Sequence, residues 1–143
     1  WSYEEIKQRR RIYNTSVNIA DTVLCVTFTA VQPEDYREDM PCISVLKPHK
    51  DISRHLITSV DMIRLLKYIT CDWFPVSEQN RIRRNLEELK PKTVSNRGTE
   101  EEVAIYKLIC SLSHPEPKNI SKDIKVFEWD SMARGLRKVL SRY

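Results

Sequence analysis

Glycine is almost missing: Gly98 and Gly135 are the only two in 143 residues. So few glycines exclude a glycine-rich phosphate loop or a dinucleotide fingerprint, and they leave most turns to Pro, Asn, Asp and Ser. The four cysteines, Cys25, Cys42, Cys71 and Cys110, form no CxxC pair, which argues against a zinc knuckle or a vicinal redox couple. Reduced, mostly buried thiols are expected instead, in a reducing compartment, cytosol or nucleus. No apolar run nears the ~20 residues that a membrane helix requires, and the start shows no secretory pattern. HExxH and other metal-ligand spacings are lacking, and His49, His55 and His114 fall in or beside loops. No metal, no cofactor and no catalytic activity is expected. The triplets Asn14-Thr15-Ser16 and Asn119-Ile120-Ser121 would be glycosylation acceptors only in a secreted protein, for which nothing else in the sequence argues.

What is present is a globular composition, 41% hydrophobic and 31% charged, unlike that of a disordered tail or a disulfide scaffold. The length suits a single domain over residues 1–143, and the opening Trp1 reads as the start of a piece excised from a longer protein. Net charge is only +4, but it is segregated. Residues 1–46 are net −2, 47–98 net +5, 99–117 net −3 and 118–143 net +4. Two basic blocks alternating with two acidic ones imply a polarised surface field.

The pattern along the chain predicts strands first and helices second. SYEEIKQRRR reads as a short helix with acids early and arginines late. Tyr13 to Ile19 and Leu24 to Ala30 each alternate with period two, which predicts a hairpin turning at Ala20-Asp21. After the acidic loop PEDYREDMP, CISVL (42–46) and HLIT (55–58) read as a third and a short fourth strand. Thr58-x-x-Asp61 has the form of a capping box, followed by Met62, Leu65, Leu66 and Ile69 on one helical face. A turn over Thr70–Pro75, anchored by Trp73 and Phe74, leads to Ser77 as N-cap and a helix over 78–90 with Ile82, Leu86 and Leu89 buried, stopped by Pro91. Thr99-x-x-Glu102 caps a third helix with Ile105, Leu108, Ile109 and Leu112 inward. KVFEW is short and extended, and Asp130 is expected to cap a last helix with Met132, Leu136, Val139, Leu140 and Tyr143 on one side. Trp1, Trp73 and Trp129, each among aliphatic neighbours, read as core or core-edge residues. The expected fold is α+β: a small antiparallel sheet of three to four strands in the N-terminal half, packed with four to five helices mostly in the C-terminal half, including a helix-turn-helix-like pair.

The stretch NRIRRNLEELKPKTVSN (80–96) poses the functional question. Arg83 and Arg84 stand four residues before Glu87 and Glu88, so both pairs are available as ion pairs, in the poorer basic-before-acidic order. Arg81 has Asn85 four ahead, and Lys90, Lys92 and Arg97 follow with no acid until Glu100. A second helix rich in Arg and Asn suits insertion into a DNA groove, where Arg reads guanine and Asn reads adenine. Asn80, Arg81 and Arg84 are the candidate base or near-base contacts, and Arg83, Lys90, Lys92 and Arg97 the candidate phosphate contacts. A second basic stripe, Arg134, Arg137, Lys138 and Arg142, lies on the last helix, late enough for the helix dipole alone to explain it. The competing reading is a protein-interaction or dimerisation module that recruits co-regulators through the helical face at 131–143 or the Trp73-Phe74 corner.

NRIRRNLEELKPKTVS, with LITSVDMIRLL upstream, PEPKNISKDIKVFEW downstream, and WSYEEIKQRRR and VTFTAVQPEDY near the start, resembles the C-terminal region of the fungal Medusa-type developmental regulators. The likeness spans nearly the whole chain and departs around residues 47–55, which are more basic and carry extra histidines. The departure leaves Lys47, Lys50 and Arg54 without an inherited phosphate role. The resemblance implies a nuclear protein that regulates transcription during fungal development, within a longer, largely disordered chain. ITSVDMIRLL and the following basic helix are also similar, over a short span, to DNA-binding domains of the APSES/KilA-N type. The expectation is therefore a nuclear, non-enzymatic domain that contacts double-stranded DNA, with co-regulators or a second copy of the chain as further partners and no membrane.

Overall fold

A computed structural model describes residues 1–20, 23–48, 54–70, 75–112, 115–117 and 123–140. Strand β1 (Arg10–Ala20) pairs antiparallel with β2 (Val23–Val31) in unbroken register from Ile12↔Val31 to Ala20↔Val23. The period-two pattern thus gives the hairpin it predicted, and Asp21, expected in its turn, falls outside the described residues. Strand β3 (Cys42–Leu46) joins the other edge of β1. It is followed by β4 (Leu56–Thr58), β5 (Lys92–Val94) and β6 (Ile124–Glu128). One antiparallel sheet results, in the order β2-β1-β3-β4-β6-β5.

The α+β class holds, but the sheet has six strands where three to four were expected. The exit loop after the basic helix contains the extra strand: Lys92–Val94 pairs with Val126–Ile124. Three residues, two of them exposed, are too few for any alternation to register. The last strand also comes from the helical half, so the sheet draws on both ends of the chain.

The described residues contain five α-helices, four of which pack on the two faces of the sheet. Helix α1 (Tyr3–Gln8) opens with Ser2 in a complete capping box with Glu5. It is shorter than expected, because Arg9 turns left-handed at φ 55° and sends Arg10 and Arg11 into β1. Helices α2 (Ser59–Thr70), α3 (Val76–Glu87) and α5 (Trp129–Leu140) share one core with the sheet. Ile43, Ile57 and Phe127 point into that core and meet Met62, Leu65, Ile69, Ile82, Leu86, Met132 and Leu136. The alternate residues Leu46, Leu56 and Val126 point the other way, onto Ile105 and Ile109 of α4 (Glu100–Ser111). The period of two along each strand therefore puts three helices on one face and α4 on the other. Tyr13 stacks on Trp129 at 6.2 Å between ring centroids, and Phe28 meets Trp129 edge-on at 5.2 Å, which ties the hairpin to the start of α5. Trp1 lies half-buried against His55, beneath the Arg11 guanidinium, and Trp73 is outside the described residues.

Several local expectations are corrected. The N-cap of α3 is Pro75, whose carbonyl accepts from Glu78 and Gln79, so Ser77 sits inside the first turn and caps nothing. That helix runs 76–87 rather than 78–90, and Leu89, past its end, is 37% exposed instead of completing the buried stripe. Thr58 accepts from Asp61 N at 3.2 Å, but the Asp61 carboxylate does not return the bond. Asp130 stands in the first turn of α5 rather than before it. Leu108 is only half-buried, Cys25 is exposed, Cys110 is half-buried and Cys42 alone among the described thiols is buried. Burial pushes the Cys42 thiol up to about 11, far from a reactive thiolate. The Thr99–Glu102 capping box forms as predicted. Among the described residues no helix is long and apolar enough to cross a membrane.

Candidate nucleic-acid interface

Helix α3 packs chiefly on α2 and α5, lying over them rather than directly on the sheet. Ile82 and Leu86 anchor it, at 0% and 1% exposure. At 3.6 residues per turn, Asn80, Arg81 and Arg84 occupy the arc opposite these anchors, and Arg83 lies on its flank. All three arginines are exposed, while Asn80 is half-buried where full exposure was expected. Arg81 reaches Glu78 Oε2 at 3.7 Å, one turn earlier, a long contact on a half-exposed carboxylate. The pairs Arg83–Glu87 and Arg84–Glu88, available by spacing, do not form among the described residues. Arginine ahead of glutamate is the weaker order on a helix, and such exposed pairs stabilise by only ~0.3 kcal/mol.

The chain leaves α3 through Lys90, which holds φ 58°. This left-handed lysine, past the C-cap at Glu88, turns the chain and delivers Lys92 to β5. Lys90 and Lys92 line a cleft of about 320 Å³ that opens where β4, β6 and β5 end beneath α5. Arg54, Glu101 and Glu128 share its rim, and Leu56, Ile105 and Met132 contribute to its floor. Arg54 donates from Nε to Glu128 Oε1 at 3.0 Å, and this bond holds the Glu128 carboxyl below its usual range. Lys90 and Lys92 have no such carboxylate partner among the described residues. Arg97 follows β5, exposed, in the turn that leads to α4.

The seven candidate residues therefore fall into two groups. Asn80, Arg81, Arg83 and Arg84 share the outward side of one helix. Lys90 and Lys92 stand at the cleft mouth, with Arg97 beyond them. The second basic surface is on the neighbouring helix: Arg134, Arg137 and Lys138 are exposed on α5, opposite Met132 and Leu136. Arg142 lies outside the described residues. Met132 and Leu136 of α5 are spent on the core, while the side chains of 139–143 and the Trp73-Phe74 corner, the rest of the expected partner surface, lie outside the described residues. The helices α3 and α5 meet at Gly135, where an added Cβ would stand 2.9 Å from Leu89 Cδ1 and 3.4 Å from Leu86 Cδ2.

A buried ionic set escaped the sequence reading altogether. Strand β4 pairs with β3 only at Leu46↔Leu56 before the chain turns into α2. Asp61, wholly buried, takes up the Ser44 N–H at 3.1 Å and the Arg64 guanidinium at 2.9 Å. Burial pushes its carboxyl up to about 6, against the opposing pull of Arg64, the Ser44 N–H and Arg10. Arg64 and the buried Arg10 also donate to the carbonyls of Glu116 and Pro115, fastening that segment to the sheet. The spacing Asp61-x-x-Arg64 was legible as a helical pair, but nothing in it announced burial. These charges tie α2 and β1 to β3 and to the 115–116 segment. Among the described residues no three His, Cys, Asp or Glu side chains converge as metal ligands.

An α+β chain built on one six-stranded antiparallel sheet, with a basic helix outermost, is the class of molecule this geometry defines. Residues 1–140 match a family described as a domain of unknown function (DUF7082), and the chain belongs to it. No curated protein and no solved structure matches the chain.

Proposed function

We propose that the chain is a double-stranded DNA-binding domain of a nuclear transcriptional regulator, with the outward side of α3 entering the groove. The observation that carries this reading is the state of the α3 cations: among the described residues Arg83 and Arg84 stand exposed without ion pairs, and Arg81 has one loose contact to Glu78. A basic helix whose purpose was solubility would tie its charges to nearby glutamates; Glu87 and Glu88, four residues beyond Arg83 and Arg84, form no ion pair with them among the described residues. Asn80, Arg81 and Arg84 contact base edges or the nearest phosphates. Arg83, Lys90, Lys92 and Arg97 neutralise the backbone on either side, and the stripe on α5 extends the same field. The role in fungal development follows from the Medusa-type resemblance and is part of the proposal.

The test is fluorescence anisotropy with labelled duplexes of random sequence. Replacing Arg81 and Arg84 together with Ala should weaken binding at least tenfold while leaving the melting temperature within about 2 °C, since both side chains are exposed. Undiminished affinity in that variant removes α3 from the interface. Wild-type protein that binds no duplex at low salt overturns the reading as a whole.

A further inference from the structure

The two edges of the sheet are built differently. At one edge, β5 is three residues long, follows Pro91 and carries Lys92, all devices that discourage a further strand from adding. At the other edge, β2 is nine residues long, VLCVTFTAV, without a charge, a proline or a glycine. Its register against β1 runs without a bulge. Among the described residues, β1 is the only strand paired with it, and no backbone hydrogen bond reaches it from a loop or helix. Such an edge presents a row of unused N–H and C=O groups over about 30 Å.

We propose that β2 pairs antiparallel with β2 of a second copy across a two-fold axis, joining two six-stranded sheets into one. Three observations favour a second copy as the occupant. An antiparallel strand is self-complementary about a two-fold axis, the commonest symmetry of homo-oligomers. The absence of charge means that no register places like charges opposite each other. The full-length register, Val23 against Val31, also keeps each face consistent. It sets Val26 beside the partner's Phe28 on the side that packs toward the large core, and Cys25 beside the partner's Thr29 on the exposed side. Thr27, exposed and mid-strand, then lies on the axis facing its own copy. This pairing is independent of DNA, so its test is run without nucleic acid and its outcome is separable from that of the α3 reading.

The test is sedimentation equilibrium on the 143-residue chain from 1 to 200 µM, with three variants. The wild type should sediment at twice the 16.9 kDa of one chain. Thr27→Lys, which puts two cations on the axis, should be monomeric over the same range with an unchanged circular dichroism spectrum. Thr27→Cys in a Cys25→Ser background should cross-link under mild oxidation into a single disulfide-linked dimer. Lys7→Cys in the same background, away from β2, should not. A wild type that stays monomeric at 200 µM overturns the proposal. So does a dimer that survives Thr27→Lys and fails to cross-link through position 27, because it is held by another surface.

Discussion

The carboxyls of Asp61 and Glu5 are both buried, and they answer pH in opposite directions. Burial alone would raise Glu5, but hydrogen bonds from Arg11 and Ser2 outweigh it and bring the group down to about 2. Its contribution is therefore complete above the unfolded value of 4.5 and is lost as pH falls toward 2. Asp61 is raised, so between 3.8 and about 6 the folded chain keeps a proton that the unfolded chain has released. Stability should fall as pH rises through that window, by about 3 kcal/mol from this group alone. Urea denaturation from pH 3.5 to 7 should show this slope in the wild type and lose it in Asp61→Asn, while Glu5→Gln alters the acid limb. Lys90 gives a second test at this scale. A lysine in the left-handed region costs ~1 kcal/mol that glycine avoids, partly offset by glycine's freedom in the unfolded chain. Lys90→Gly should raise the denaturation midpoint slightly and weaken duplex binding, moving stability and affinity apart. The sequence marked Asp61 as a capping residue and Lys90 as a phosphate contact, but neither the burial of the one nor the left-handed turn of the other was legible in it. Burial of Asp61 depends on where β4 stops, and the turn at Lys90 depends on β5 claiming the residues after Pro91.

At the scale of the element, reading improves with length and regularity. The hairpin strands, CISVL and the capped helix from Thr99 follow from alternation and capping chemistry that act within a few residues. Element ends fared worse, because they are decided by tertiary partners. Arg10 and Arg11 look helical beside Lys7 and Arg9, yet Arg11 reaches back to Glu5 from a strand. The candidate residues show the same split: the α3 arginines were expected to be exposed and are, while Lys92 was assigned to a loop and lies in an edge strand. The contact between α3 and α5 predicts a further effect. Gly135→Val should force Leu89 aside and lower stability by about 1–3 kcal/mol in chemical denaturation, through overpacking rather than lost helix propensity. The same shift tilts the basic helix and should reduce duplex affinity more than its stability loss accounts for.

For the whole molecule, segregation of charge was legible from the first count, and its consequence is a matter of ionic strength. If the cations of α3, the exit segment and α5 act on one polyanion, log affinity should fall linearly with log salt at ~0.9 per phosphate neutralised. Lys92→Ala should reduce that slope by about 1 without altering sequence preference, whereas the Arg81 and Arg84 replacements should change preference as well. Titrations between 50 and 300 mM salt measure both.

The strand order has a final consequence for how the molecule is made. β6, the last of the described strands in chain order, is an interior strand, hydrogen-bonded to β4 on one side and β5 on the other. Until residue 128 emerges, β5 lacks its strand partner among the described residues, and β4 has there the single pairing to β3. Vectorial synthesis therefore delivers a hairpin and several helices early but withholds the keystone of the sheet. Folding waits on a long-range closure that couples the two ends of the chain.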